Sequence, residues 1–331
     1  MGKRLSPTRV PKRRLAATRP VISRTVPLPS SPPSAVYAVP KQTAAYAFFS
    51  LSEVVLYHFL EACSLSTLIA LSHTSAYFRT LVKSLFRIRL TQIMEHFITH
   101  TNLASFFTLL HETDSAIGGS TVARVLTGGN WMPSNLNLYV RNGGVPKWEE
   151  YLNTVLYFRC EKQPEVDRGC LYATSSHTAF ESAITGHVIM ISESVDESII
   201  TPAVSSSNTL AMSVITSSTI VAMYPTLMNK RQAFDSWDRP TVAHCITLQK
   251  RGFKHSASTT SWTRRCEWNC PVLWRRVQNL RGVGMFCWGG LNNNFPDNGR
   301  EGIPFSDVSL KWRLSDVCLN EYCPWSSRRW V

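Results

Sequence analysis

The chain predicts an α+β fold: a short helical module followed by a mixed α/β domain, preceded by a basic tail with no core of its own. Three observations carry this. Apolar residues recur at helical spacing from about residue 51 to residue 110. Later segments alternate polar and apolar residues, or run apolar for five to seven residues between turn formers, as buried strands do. The first 45 residues are rich in Pro, Ser and Arg and hold too little apolar surface to fold.

With 331 residues the chain has room for about two domains. Its 44% apolar and 17% charged content excludes a wholly disordered protein. Nine Lys or Arg residues and no acid precede Glu53, so the tail holds +9 of the net +13, and the rest of the chain only about +4. Pro11, Pro20, Pro27, Pro29, Pro32, Pro33 and Pro40 forbid a continuous helix there, which argues against an amphipathic transit peptide. Within residues 1–45, Lys12, Arg13 and Arg14 form a cluster of nuclear-localisation type. Met1 to Ser6 also fits the loose myristoylation pattern. Nine cysteines at irregular spacing make no disulfide framework, and no apolar leader is present. A reducing compartment, cytoplasmic and/or nuclear, is expected. The charge-free stretch between Glu197 and Lys230 is interrupted by Ser213, Thr216, Ser217, Ser218 and Thr219, and predicts buried strands and a helix with no membrane span.

Residues 46–90 read as three short helices. Ser50 and Glu53 have capping-box spacing, with Ser50 the expected cap. Leu51, Val55 and Phe59 fall on one face at i, i+4 spacing, with Leu56 and Leu60 beside them. A second unit runs Leu65, Leu68, Ile69, Leu71 and a third Tyr77, Phe78, Leu81, Val82. Leu51-Ser52-Glu53-Val54-Val55, then Phe59-Leu60, then Leu65, Leu68 and Leu71-Ser72, then Phe78-Arg79-Thr80-Leu81-Val82 resemble the F-box over about 40 residues. Ser52 replaces the usual Pro and Thr67 the frequent Asp. The resemblance implies docking onto the Skp-type adaptor and cullin scaffold of a ubiquitin ligase, through Leu51, Val55, Phe59, Leu60 and Leu68.

In residues 91–250, Gly118-Gly119-Ser120 opens a helix; glycines there let a backbone approach closely, and the helix N-terminus aims unpaired N–H groups at an anion. Asn135-Leu136-Asn137-Leu138-Tyr139-Val140 then alternates as a strand with Asn135 and Asn137 on one face. Gly118, Gly119 and Ser120, a helix, then polar–apolar–polar–apolar resemble the nucleotidyltransferase fold. Active members carry carboxylates at the two polar positions, to hold two Mg²⁺ ions against a triphosphate. Asn135 and Asn137 carry no charge. The strand His187 to Ile191 holds no acid, and Glu193 and Asp196 read as loop positions just beyond it. A degenerate, non-catalytic domain without a cofactor is therefore expected. Thr241 to Leu248 reads as a helix ended by Gly252.

Residues 251–331 hold Trp262, Trp268, Trp274, Trp288, Trp312, Trp325 and Trp330, read as finishing the core of the preceding domain, with nucleic-acid stacking the less favoured reading. Cys266 and Cys270, with Cys318 and Cys323 downstream, have spacing that a zinc site permits. The separation of the two pairs and the Pro after Cys270 and Cys323 favour buried thiols, so no metal is expected. No Ser-His-Asp or Cys-His pattern stands out among nine scattered histidines. The expected function is an F-box-type substrate adaptor that binds proteins, including a client the sequence does not identify. A divergent metal-dependent nucleotidyltransferase or nucleotide-binding protein is the alternative.

Overall fold

Short serine-capped helices come first among the described residues, as the apolar spacing predicts. The computed structural model describes residues 51–156, 158–161, 172–236, 242–276, 282–290 and 310–326. The candidate import cluster Lys12, Arg13 and Arg14 lies outside these residues. Helix α1 spans Glu53–Ala62. Its cap is Ser52, in place of the expected Ser50, with Oγ accepting from the Val55 amide at 3.4 Å. Helix α2 (Leu65–Thr74) is capped by Ser64, and α3 (Ala76–Met94) by Ser75, whose Oγ accepts from the Phe78 amide. Each cap satisfies one of the amides that a helix start leaves unpaired.

Helix α4 (Leu103–Glu112) leads to strand β1 (Ala116–Gly118), then α5 (Ser120–Thr127), β2 (Asn135–Val140) and α6 (Val145–Thr154). β3 (Phe158–Glu161), β4 (Thr174–Ser182) and β5 (Val188–Ser194) follow, then α7 (Ile200–Val204), β6 (Val214–Ile215), β7 (Thr219–Ala222) and α8 (Pro225–Asn229). The uncharged stretch is thus divided among short strands and helices. Among the described residues no helix is long and apolar enough to cross a membrane. β8 (Gln232–Phe234), α9 (Val242–Lys250) and β9 (Lys254–Ser256) precede the C-terminal strands β10 (Arg275–Arg276), β11 (Gly284–Cys287) and β12 (Lys311–Trp312). Gly252, at φ +79°, ends α9 as predicted, its amide donating to the Gln249 carbonyl.

The main sheet runs β11-β7-β6-β1-β2-β5-β4-β3. Only β2 and β5 pair in parallel in it, with Asn137 opposite Met190, and helix α6 lies between them in sequence. This settles an α+β class with a mixed sheet.

The helical module and the sheet share one core. Leu60, Leu68, Val82 and Phe86 pack in the same cluster as Val125, Leu136 and Ile220. Helix α3 runs through the boundary expected at residue 90, and the Phe86 ring meets Phe286 of β11 edge-on at 5.2 Å. The polar tie is Arg89, buried in α3. Its Nε and Nη2 donate to the two Glu61 carboxylate oxygens at 3.1 and 2.8 Å, and Nη1 donates to the Val125 carbonyl of α5 at 3.2 Å. Burial alone would raise the Glu61 carboxyl, but Arg89 outweighs it and holds the group below its ordinary value.

Glu61→Ala is expected to destabilise the protein by about 3–5 kcal/mol, because it strands a buried guanidinium. Arg89→Met should cost less, since Glu61 is partly hydrated. Chemical denaturation of the two variants measures the difference, and equal or negligible losses would refute this asymmetry.

Candidate functional site

The end of β1, the start of α5 and the face of β2 converge on one cleft. Gly118 and Gly119 are required by their neighbours: a Cβ on Gly118 would fall 2.0 Å from the Tyr139 ring, and one on Gly119 2.3 Å from Asn137 Nδ2. Gly119 also sits at φ +67°, in the left-handed region. The two motifs that the sequence pairs are therefore in direct contact. Alternation along β2 turns Asn135 and Asn137 to the same side, and Asn135 Nδ2 donates to Asn137 Oδ1 at 2.6 Å.

The cleft has a volume of about 570 Å³. Ser120, Asn135 and Asn137 line it together with His177 of β4, Ser192 of β5, Asn208, His244 and Arg251. His177 Nδ1 and Ser192 Oγ share a hydrogen bond of 2.7 Å. Burial pushes the His177 imidazole below its ordinary value. Asn208 is buried, its Oδ1 accepting from the Leu210 and Ala211 amides while Nδ2 donates to His244 Nε2 at 2.9 Å. The Arg251 guanidinium lies 4.6 Å from the Trp131 ring centroid. Among the described residues that line the cleft there is no carboxylate.

The acids that a displaced metal site would need are used elsewhere. Glu193 belongs to β5, contrary to the loop position expected, and pairs with Val140, roughly 10 Å along the sheet from Asn137. Its carboxylate accepts from the Gly143 amide and the Ser175 and Ser176 hydroxyls. Asp196 caps the turn before α7 by accepting from the Ser198 amide and Thr201 hydroxyl. Asp114 pairs with Arg141 at 3.1 Å.

The candidate docking residues divide by helical phase. Leu56 and Leu60 of α1 point inward, and Leu68 of α2 is fully buried. Leu60 and Leu68 are thus core residues and offer a partner no surface, which corrects the expectation. Val55 and Phe59, four apart, face outward with Val54, which is 65% exposed. Leu51, just before the helix, is also exposed.

Sequence reasoning missed His177, Ser192, Asn208, His244 and Arg251. They come from four separate segments, and only the strand alternation of His177 and Ser192 hints at a shared face. Of the C-terminal tryptophans, Trp288 and Trp312 complete the core as expected, whereas Trp268, Trp274 and Trp325 are exposed, and Trp330 lies outside the described residues. Asp235, His255 and Cys245 also meet, but His255 Nε2 faces both the carboxylate at 2.7 Å and the thiol at 3.9 Å. A nucleophile–base–acid relay uses both ring nitrogens, so this is no catalytic triad. Compared with protein-family models, curated proteins and solved structures, the chain matches none.

Gly119→Ala is expected to cost about 1–3 kcal/mol through its φ and the Asn137 contact together. Adding Asn137→Ala should return the contact part but leave the φ part, which a double-mutant cycle on thermal stability resolves. His177 gives a pH prediction. Its pKa is lowered on folding, so its contribution is complete above the ordinary value of about 6.5 and is lost as pH falls below it. The drop in melting temperature between pH 7 and about pH 5.5 should be smaller in His177→Gln.

Proposed function

We propose that this chain is a protein-binding adaptor, docking the Skp-type subunit of a cullin–RING ubiquitin ligase through α1 and presenting a client by the rest of its surface. The observation that carries this is the outward face of α1. Val54, Val55 and Phe59 stand exposed on a well-capped helix whose opposite face is anchored in the core. Apolar side chains grouped on a rigid helix are what helix-in-groove recognition uses. The F-box resemblance supplies the identity of the partner. Leu60 and Leu68 leave the proposed contact set, and Val54 enters it.

A reading without catalysis is supported by the cleft chemistry. The two positions that would hold Mg²⁺ are carboxamides, one of which donates to the other. A carboxamide offers an oxygen but no charge to neutralise a divalent ion.

Co-purification of the full chain with the Skp-type subunit and cullin tests the adaptor role. Wild type should retain both, and Val55→Glu with Phe59→Glu should lose them. Charges buried in an apolar contact cost several kcal/mol, roughly enough to abolish a micromolar complex. Unchanged thermal melting of the variant shows that it is folded. Absence of binding by wild type, or equal binding by the folded variant, overturns the proposal.

A second reading is favoured by one observation. Arg251 brings a positive charge to a cleft whose described lining holds no carboxylate, a setting suited to an anionic ligand such as a nucleotide. A nucleotide should then raise the melting temperature equally with and without Mg²⁺. A shift that requires Mg²⁺ would point to the metal-dependent transferase instead.

A further inference from the structure

Among its described residues the C-terminal extension has little regular structure: apart from the short strands β9 and β11, β10 and β12 form a ladder of two residues each and a 3₁₀ turn spans Glu267–Asn269. Its core consists of four cysteines. Cys266, Cys270, Cys318 and Cys323 are buried together, with Trp262, Val272 and Leu273 packed against them. So small an apolar cluster is a poor core for a loop-rich segment, and such segments are normally stapled by a cross-link or a metal.

The sulfur geometry distinguishes the two. Cys266 Sγ lies 3.7 Å from Cys318 Sγ, and Cys270 Sγ 3.5 Å from Cys323 Sγ. All four sulfurs fall within 4.8 Å of one another. A disulfide needs about 2.05 Å. Four thiolates placed tetrahedrally at about 2.3 Å from one ion stand about 3.8 Å apart. The observed spacing is therefore that of a single-ion S₄ shell.

The backbone presents the ligands in two pairs, each at a tight turn. A 3₁₀ turn (Glu267–Asn269) separates Cys266 from Cys270, and the Cys323 amide donates to the Asn320 carbonyl at 3.1 Å. Surrounding groups orient the sulfurs. Asn320, fully buried, donates from Nδ2 to Cys266 Sγ at 3.1 Å. The Thr259 hydroxyl accepts from the Leu319 amide and lies 3.7 Å from Cys318 Sγ, placed to donate to it. Such outer hydrogen bonds stabilise thiolate charge.

Arg275 is 6% exposed, and its guanidinium lies over the Tyr224 ring of the main fold at 4.1 Å, which attaches this segment to it.

We propose that Cys266, Cys270, Cys318 and Cys323 bind one zinc ion. Four thiolates and Zn²⁺ carry a net charge of −2, and each thiol releases its proton on binding. This replaces the sequence expectation of free thiols at Cys266 and Cys270. The objection from separation falls because the fold brings the two pairs to one point. The role is structural: four protein ligands leave no open position for chemistry, and the ion ties residues 266–270 to 318–323. The inference is independent of the adaptor proposal.

The test is the metal content of full-length protein purified under reducing conditions without chelator. Elemental analysis and native mass should give one zinc per chain. Cys270→Ser with Cys318→Ser should abolish it, whereas Cys63→Ser, in the helical module, should not change it. Asn320→Ala should keep the site but weaken it by about 10–100-fold in competition with a chelator. If the double-serine variant does not fold, wild type still decides the matter. An organomercurial should release zinc as the thiols react, and Co²⁺ exchange should give the intense thiolate charge-transfer bands of a tetrahedral S₄ site. Metal-free protein whose four thiols alkylate freely, a mass showing two disulfides, or iron in place of zinc each overturn the proposal.

Discussion

A single buried guanidinium joins the two halves of this protein. Arg89 reaches from α3 to the Glu61 carboxylate at the end of α1 and to the Val125 carbonyl of α5, so the small helices cannot shift against the sheet without stranding a charge. A low dielectric makes that penalty large. Around it, Phe86, Leu60 and Leu68 supply the apolar contact that dries the pair. The consequence for function is that α1 is an edge of the α/β domain with one face spent on the core, while Val54, Val55 and Phe59 are exposed on the other.

The cleft follows from a steric requirement at the β1–α5 turn. Two glycines let the Tyr139 ring and the Asn137 carboxamide close against the backbone, which fixes Asn137 and, through it, Asn135. The rest of the lining is assembled from β4, β5, α9 and the loop after it. Nearby acids are consumed by turn amides and hydroxyls. The centre of the cleft is therefore formed by uncharged carboxamides.

The extension solves a different problem. Its residues are too few and too irregular to bury a conventional core, and four sulfurs occupy the place where one would be. Trp312 and Arg275 attach this unit to the main fold at Tyr224, the tryptophan by a hydrogen bond of 3.2 Å and the arginine by stacking. A cross-link at the sulfurs would hold the unit shut from within.

Local periodicity made much of this legible in the sequence. The three helices, the strand 135–140 and the Gly252 stop depend on neighbours a few residues apart, and side-chain spacing encodes them directly. The direction in which a helix buries itself is not local. Both faces of α1 are apolar, and only packing against α3 decided that Leu60 goes inward and Val55 outward. His177, Ser192, His244 and Arg251 carried no signal because parallel pairing of β2 with β5 and the return of α9 bring them together from over 70 residues apart. The cysteines show the same division. Their spacing within each pair was readable, but whether two pairs about 48 residues apart meet depends on the path of the chain between them, which no local pattern records.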